Sequence, residues 1–159
     1  MKITVACVGK LKETYLTDAV KEYGKRLSRY VRLEILETQD EKIPEKASES
    51  EEKALRDREG ARLLKLIPEQ AFVITCEIKG QMPDSESFAN LMQQWMNEGK
   101  SHLVFVIGGS TGLSEAVLKR SDYALSFSRM TFPHQLMRVI LLEQIYRGFR
   151  ILNHEPYHK

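Results

Sequence analysis

A glycine-rich turn follows a short apolar run in the last third of the chain. Val104-Phe105-Val106-Ile107 leads into Gly108-Gly109-Ser110-Thr111-Gly112, and residues 113–118 are typical of the first turns of a helix. Glycine lets a backbone approach a ligand closely and adopt positive φ, and the N–H groups of an opening helix attract anionic groups. The order strand, glycine turn, helix therefore indicates a ligand site, although the same glycines could simply turn a strand into a helix.

The turn matches neither of two common nucleotide signatures. It lacks the Gly-Lys-Ser/Thr of a P-loop, and its Gly108-Gly109-x-x-Gly112 spacing differs from the dinucleotide pattern G-x-G-x-x-G. Because it follows the fourth predicted strand, any pocket must be built from the C-terminal part of the chain. Loops at the carboxyl ends of parallel strands line the crevice of open α/β sheets, so we expect segment 127–132 to form its wall.

Basic side chains and histidines concentrate near the C-terminus. Residues 119–159 carry seven basic and three acidic side chains and hold three of the four histidines. On a chain of net charge +2 this favours an anionic partner, with scattered surface cations as the simpler explanation. His134, Arg147 and His158 are candidates for ligand contact or catalysis, each with a structural role as the alternative.

A zinc-protease pattern at the C-terminus is rejected. His154-Glu155-Pro156-Tyr157-His158 reads H-E-x-x-H, which binds zinc only when both histidines lie one turn apart on a helix. Pro156 would remove an N–H group and clash within that turn. We therefore expect no metal.

Five strand-like segments alternate with five helical ones. This alternation predicts an α/β fold with a mostly parallel sheet and helices on both faces, and the length predicts one domain over residues 1–159. The last helix is apolar around much of its circumference, more than one core face requires, so we expect a homodimer. The predicted strands are 3–8, 31–35, 71–78 (ended by Gly80), 104–107 and 123–127, and the predicted helices are 14–30, 48–67, 88–96, 113–118 and 133–149.

Two other features bear on location and redox chemistry. No apolar run reaches the length of a membrane span and no signal-peptide core precedes the first charges, so we expect a cytoplasmic protein with no membrane partner. Cys7 and Cys76 each lie inside an apolar strand-like run, which favours reduced structural thiols over a disulfide or a catalytic thiol.

Four C-terminal motifs resemble one family. They are Val106-Ile107-Gly108-Gly109-Ser110-Thr111-Gly112-Leu113-Ser114, Thr131-Phe132-Pro133-His134-Gln135-Leu136-Met137-Arg138, Glu143-Gln144-Ile145-Tyr146-Arg147 and Asn153-His154-Glu155-Pro156-Tyr157-His158-Lys159. The chain is similar to the ribosomal RNA large subunit methyltransferase H family of the SPOUT class, small enzymes that methylate the N3 imide nitrogen of a pseudouridine in large-subunit (23S) rRNA.

The resemblance implies a C-terminal trefoil knot, a homodimer and S-adenosylmethionine as methyl donor, with rRNA or the assembled ribosome as partner. Within the implied active site, the tail motif falls on Tyr157 and His158, with Arg147 and His134 nearby. Lys159 stands where relatives often have arginine, which keeps the charge without the bidentate fork. The donor contacts implied by position are Cys76, Gly108, Phe127, Ser128, Arg129, Met130, Thr131 and Phe132.

A weakly acidic imide must lose a proton to accept a methyl group. We expect His158 or the basic cluster with Arg147 to favour this step and Tyr157 to position the base. Two alternatives stay open at this point. One is a non-catalytic RNA- or ribosome-binding α/β protein, and the other is an enzyme that uses a different adenosine-type ligand in the same pocket.

Overall fold

Five parallel strands form one sheet in the order β2-β1-β4-β3-β5. The computed structural model describes all residues, 1–159. The predicted α/β class with a parallel sheet is confirmed. The strands are β1 (Lys2–Val8), β2 (Arg32–Thr38), β3 (Phe72–Gln81), β4 (His102–Ile107) and β5 (Tyr123–Leu125), and the helices are α1 (Thr14–Leu27), α2 (Glu49–Leu66), α3 (Ser85–Asn97), α4 (Glu115–Arg120) and α5 (His134–Leu152).

Two apolar cores cover the two faces of the sheet. The larger one joins α1, α3 and α5 to the sheet through residues such as Phe105, Met92 and Leu141. The smaller one packs α2 and α4 on the opposite face, through Leu63 and Val117. Trp95 is 4% exposed and belongs to the larger core, as predicted from its place in an apolar helical stripe.

The connections after β3 and β4 leave the sheet in opposite directions. β3 leads into α3 on one face, whereas β4 leads into α4 on the other. Adjacent parallel strands with this divergence open a crevice between their carboxyl ends, where α/β proteins bind ligands. Cys76 pairs with Ile107 at this point, directly before the glycine turn.

Gly80 does not end β3, contrary to the sequence prediction. The strand continues to Gln81, which pairs with Leu125 after an irregularity in the register. A Cβ atom at Gly80 would lie 2.7 Å from the carbonyl carbon and oxygen of Ala124. Glycine is therefore required because the backbone of β5 approaches closely, and a turn is not the reason for it.

Several helix boundaries differ by a few residues from the predicted ones. Ser48 caps α2 by accepting a hydrogen bond from the Glu51 N–H at 3.2 Å, as the capping-box pattern predicts. Gly99 follows α3 with φ +82°, consistent with its predicted place after the helix C-terminus. α1 ends at Leu27, three residues early, because the chain turns there into β2, and α5 extends to Leu152. No helix of the protein combines the length and apolarity needed to cross a membrane.

Candidate active site

A cavity of about 910 Å³ lies at the carboxyl ends of β3 and β4. Two segments supply most of its wall, the Gly loop (residues 108–113) and the 126–133 loop that connects β5 to α5. Cys76 and Leu125 close its floor at the strand ends, and Met137 of α5 adds an apolar side. The crevice predicted at the carboxyl ends of the parallel strands and the cavity in the structure therefore coincide.

The Gly loop is a tight turn in which glycine is needed for space and for backbone angle. Gly109 and Gly112 form an isolated bridge, and Gly112 has φ +86°. A Cβ atom at Gly108 would lie 2.8 Å from the Gly112 carbonyl oxygen and 3.0 Å from Leu113. Beneath the loop, a Cβ at Gly109 would lie 3.1 Å from the Glu59 carboxylate. Any side chain at Gly108 therefore forces the loop to move.

The N-terminus of α4 is capped within the chain. The helix begins at Glu115, and Ser114 is its N-cap, with the Ser114 hydroxyl accepting from the Val117 N–H at 3.4 Å. The prediction that the helix starts at Leu113 is therefore wrong, because Ser114 takes an extended backbone conformation in order to cap it. The ligand-facing part of this region is the Gly loop itself.

Some polar groups in the cavity wall are unsatisfied within the chain. The Thr111 hydroxyl oxygen is buried and has no hydrogen-bond partner. Glu77 is the one carboxylate of the wall, and it accepts from the Thr75 hydroxyl at 3.1 Å. A buried hydroxyl without a partner costs free energy unless a ligand or water satisfies it.

His134 begins α5 at the edge of the cavity. Burial and, to a smaller extent, the neighbouring Arg138 lower the pKa of its imidazole below the ordinary value. Arg138 is 1% exposed; it pairs with Glu37 and donates to the Val8 and Gly9 carbonyls at 3.2 and 2.6 Å. The start of α5 is thus attached to the carboxyl end of β1, and His134 is held neutral near pH 7.

The two cysteines are free thiols. Burial raises the pKa of Cys7 to about 12, and burial also raises the pKa of Cys76. A thiol that stays protonated is a poor nucleophile, so both observations fit the predicted structural role. Cys76 also contributes to the cavity wall.

A second polar group, the tail cluster, consists of Glu143, Arg147, Tyr157 and His158. The Tyr157 hydroxyl and the Arg147 guanidinium both donate to Glu143, at 3.0 and 2.7 Å. The guanidinium also lies over the Tyr157 ring, 4.7 Å from its centroid. Burial and the hydrogen bond to Glu143 raise the pKa of Tyr157 to about 12, so its hydroxyl stays protonated at physiological pH.

The contact between Arg147 and His158 defines the state of the imidazole. Arg147 Nη1 lies 3.2 Å from His158 Nδ1. A guanidinium can only donate, so Nδ1 carries the lone pair and the N–H is on Nε2, which lies 3.8 Å from Glu86. In this contact the basic nitrogen of His158 accepts a hydrogen bond from a cation.

Glu155 fixes the path of the tail after α5. The Tyr30 hydroxyl donates to both Glu155 oxygens, at 2.9 and 3.0 Å, and Arg150 forms an ion pair with the same carboxylate. The backbone is not helical there, and His154 has φ +54°. The H-E-x-x-H residues thus cannot present two histidines from one helical face, and Glu155 is instead part of the tail anchor.

The structure brings some of the predicted site residues together and separates others. His134 and seven of the eight donor-contact residues line the cavity, whereas Arg129 is exposed and outside the wall. None of the tail cluster lines it. His134 and Arg147 lie on the same helix, 13 residues and so about 20 Å apart along the axis. The cavity-lining donor-contact residues are Cys76, Gly108, Phe127, Ser128, Met130, Thr131 and Phe132.

Sequence reasoning missed Glu143 and Arg56 as members of these two sites. The spacing of Glu143 and Arg147 by four residues on one helix was a readable signal for an ion pair. Arg56 reaches the cavity from α2, 52 residues before the Gly loop begins, and no local pattern in the sequence indicates that contact.

Comparison with known proteins defines the class first. The family described as "Predicted SPOUT methyltransferase" matches residues 1–158. A probable methylase family protein from Haemophilus influenzae Rd KW20 has a similar fold, with a TM-score of 0.57 at 13% identity over 99% of this chain and 70% of the other. The protein is thus of the SPOUT methyltransferase class.

Full-length relatives then define the family. The chain is 56% identical to the ribosomal RNA large subunit methyltransferase H of Clostridium kluyveri and 58% identical to that of Clostridium botulinum strain Eklund 17B, each over 100% of both chains. The chain belongs to the ribosomal RNA large subunit methyltransferase H family, and the resemblance read from its C-terminal motifs is confirmed.

Proposed function

We propose that this protein transfers a methyl group from S-adenosylmethionine to the N3 nitrogen of a pseudouridine in large-subunit rRNA. The observation that supports the proposal is the cavity between the carboxyl ends of β3 and β4, whose wall includes seven of the eight residues that the family resemblance implies as donor contacts. Family membership supports rRNA as the acceptor, since the relatives are named for that activity. We further propose that a single SPOUT domain spans residues 1–159, acts in the cytoplasm and takes the assembled ribosome as substrate.

The cavity wall suits the chemistry of the donor. An adenine ring needs apolar walls, which Leu113, Leu125 and Met137 provide. The ribose and amino-acid groups need hydrogen-bond partners, and the unsatisfied Thr111 hydroxyl is one that a ligand would pair. When bound, the donor supplies an electrophilic methyl carbon on a sulfonium. No cluster of His, Cys, Asp or Glu side chains in the structure could hold a metal ion.

We propose that the tail cluster acts on the acceptor base. The Nδ1 lone pair of His158 takes the imide proton, and Arg147 turns its charge from Nδ1 to the imide anion that results. The imide nitrogen then bonds to the methyl carbon while the electron pair of the breaking carbon–sulfur bond stays on sulfur. Tyr157, protonated and held by Glu143, orients the base.

This assignment requires two copies of the chain. The tail cluster and the cavity are separate within one protomer, so we propose a homodimer in which the tail cluster of one copy meets the cavity of the other. Apolar groups available for that contact include Met130 at 73% exposure, Tyr15 at 70% and Leu136 at 36%. A C-terminal trefoil knot, which the family resemblance implies, remains a prediction.

Calorimetric titration with S-adenosylmethionine, ATP and NAD tests the donor site. We expect selective binding of S-adenosylmethionine, weakened about 10-fold or more by Gly108→Ala because the loop must open around the new Cβ. Gly24→Ala is the matched control, since a Cβ there meets only Leu33 at 3.8 Å. Absence of binding to all three ligands by a folded dimer, with or without ribosomes, would support the RNA-binding alternative instead.

A further inference from the structure

Two cations on the cavity wall have no anionic partner in the chain. Arg56 of α2 and Lys79 of β3 both line the cavity, and neither forms an ion pair. Seven of the eleven arginines of this protein pair with a carboxylate, and Arg56 is the one unpaired arginine that lines the cavity. The paired arginines are Arg26, Arg58, Arg62, Arg120, Arg138, Arg147 and Arg150.

Arg56 is held in position by the Gly loop. Its Nη1 donates to the Thr111 carbonyl at 3.3 Å, and this is the one hydrogen bond that its side chain makes. The side chain is half-buried, and its remaining N–H donors have no protein acceptor. A guanidinium that is anchored on one side and unpaired on the other is preorganised to bind an oxyanion.

The formal charges of the cavity wall also sum to a positive value. Glu77 is the one carboxylate in the wall, whereas two cations, Arg56 of α2 and Lys79 of β3, line it. A donor amino-acid group offers a single carboxylate, whereas a nucleic-acid strand offers successive phosphates on both sides of the target nucleotide. Two separate cations at one mouth therefore fit a strand better than they fit one carboxylate.

We infer that Arg56 and Lys79 bind the phosphates that flank the nucleotide whose base meets the donor at the mouth of the cavity. The inference rests on the proposed function and adds the residues that position the RNA backbone. Phosphate contacts of this kind fix register and orientation and carry no sequence information. Arg56 is the stronger contact because its fork is preorganised by the Gly loop, while Lys79 is exposed and has no hydrogen bond that fixes its ammonium group.

The test compares Arg56→Gln with Arg58→Gln. Both changes remove one positive charge from α2, but Arg58 pairs with Glu41 and lies outside the cavity. Methyl transfer to large subunits prepared from cells lacking the modification gives KM for RNA, and calorimetry gives the donor Kd. For Arg56→Gln we expect KM for the subunits to rise about 10-fold. The slope of log affinity against log salt concentration should become shallower by about one, because one phosphate contact is lost.

The other readouts separate this inference from its rivals. Arg58→Gln should leave both constants unchanged, Lys79→Gln should raise KM about 3-fold, and Arg56→Lys should restore part of the affinity. Unchanged KM and salt slope for Arg56→Gln, or a weakened donor Kd in place of a raised KM, would overturn it. If the wild-type protein transfers no methyl group, the proposed function fails, and sedimentation with the same subunits still measures the phosphate contact.

Discussion

The cavity and the tail cluster are opposite in how far their polar groups are satisfied. The cavity presents backbone, apolar side chains, an unpaired Thr111 hydroxyl and an unpaired Arg56. In the tail cluster, Glu143 neutralises Arg147 and accepts from Tyr157, so its charges are already matched. The first region has polar groups that a ligand could pair, whereas the second, the proposed catalytic group, is internally paired and lines no part of the cavity.

The cavity and the tail cluster also differ in the contacts that hold them in place. The cavity is lined by loops between strands and helices, in which small residues leave room for a ligand. These loops are held in place by the carboxyl ends of β3, β4 and β5. The tail is irregular and gains its order from ion pairs and aromatic contacts, including Tyr157 against Tyr146 with ring centroids 5.0 Å apart. We therefore expect cavity variants to alter donor affinity and tail variants to alter turnover.

The largest effect should come from His158→Ala. Loss of the basic nitrogen removes the proposed proton acceptor, and we expect kcat to fall about 100-fold or more while donor affinity changes less than 2-fold. Single-turnover methyl transfer and calorimetry on the same sample measure the two quantities. Turnover that stays intact would exclude His158 as the acceptor and leave Arg147 as the group that stabilises the anion.

Arg138→Leu should destabilise the cavity end of α5. The substitution removes donors from the Val8 and Gly9 carbonyls and leaves Glu37, which is partly exposed, without its partner. We expect a loss of about 2–3 kcal/mol in the free energy of unfolding, below the full cost of a buried pair because water reaches Glu37. Urea unfolding monitored by circular dichroism gives this value, and a change below about 0.5 kcal/mol would show that the link is dispensable.

Glu155→Gln tests the tail anchor with a smaller expected effect. Glutamine keeps one acceptor for the Tyr30 hydroxyl but loses the ion pair with Arg150. We expect kcat to fall about 3- to 10-fold, with unchanged donor affinity and little change in stability. Glu45→Gln, on the exposed segment between β2 and α2, is the control for the charge change. Equal kcat values in the two variants would show that the tail needs no anchor.

The smallest effect concerns pH. The folded state lowers the pKa of His134, so below its ordinary pKa of 6.5 the unfolded chain binds the proton more readily than the folded one. Stability should therefore decrease as pH falls through 6.5 and should level off once pH is below the folded-state pKa. His134→Gln should flatten this part of the profile, as measured by thermal unfolding between pH 5 and 7.5, whereas an unchanged slope would assign it to other groups.

The sequence predicts local features of the cavity better than those of the tail. The apolar run before Gly108 and the strand before Phe127 identify the two loops, because strand and turn preferences are local. The strand order places β4 between β1 and β3, which depends on long-range pairing that no window of sequence records. Gly80 is an example: the sequence predicts a turn there, but the glycine is required because the backbone of Ala124, 44 residues away in sequence, packs against it.

The contacts of the tail escaped prediction for the same reason. Tyr30 and Glu155 are 125 positions apart, and their hydrogen bond exists only because α1 and α5 pack together. The apolar circumference of α5 predicts a subunit interface. Because Arg147 and His134 lie far apart on this helix, we propose that such an interface brings the tail cluster of one copy to the cavity of the other. Charge patterns near the C-terminus indicate a function, but only the three-dimensional contacts show which charges are already paired.

The most direct test mixes two inactive variants. Gly108→Val disables the cavity and keeps the tail, whereas His158→Ala disables the tail and keeps the cavity. If the tail of one copy serves the cavity of the other, co-expressed heterodimers regain one working site, and a random mixture recovers about a quarter of wild-type methyl transfer. If each chain uses its own tail, the mixture stays as inactive as either variant alone, and the shared dimeric site is wrong.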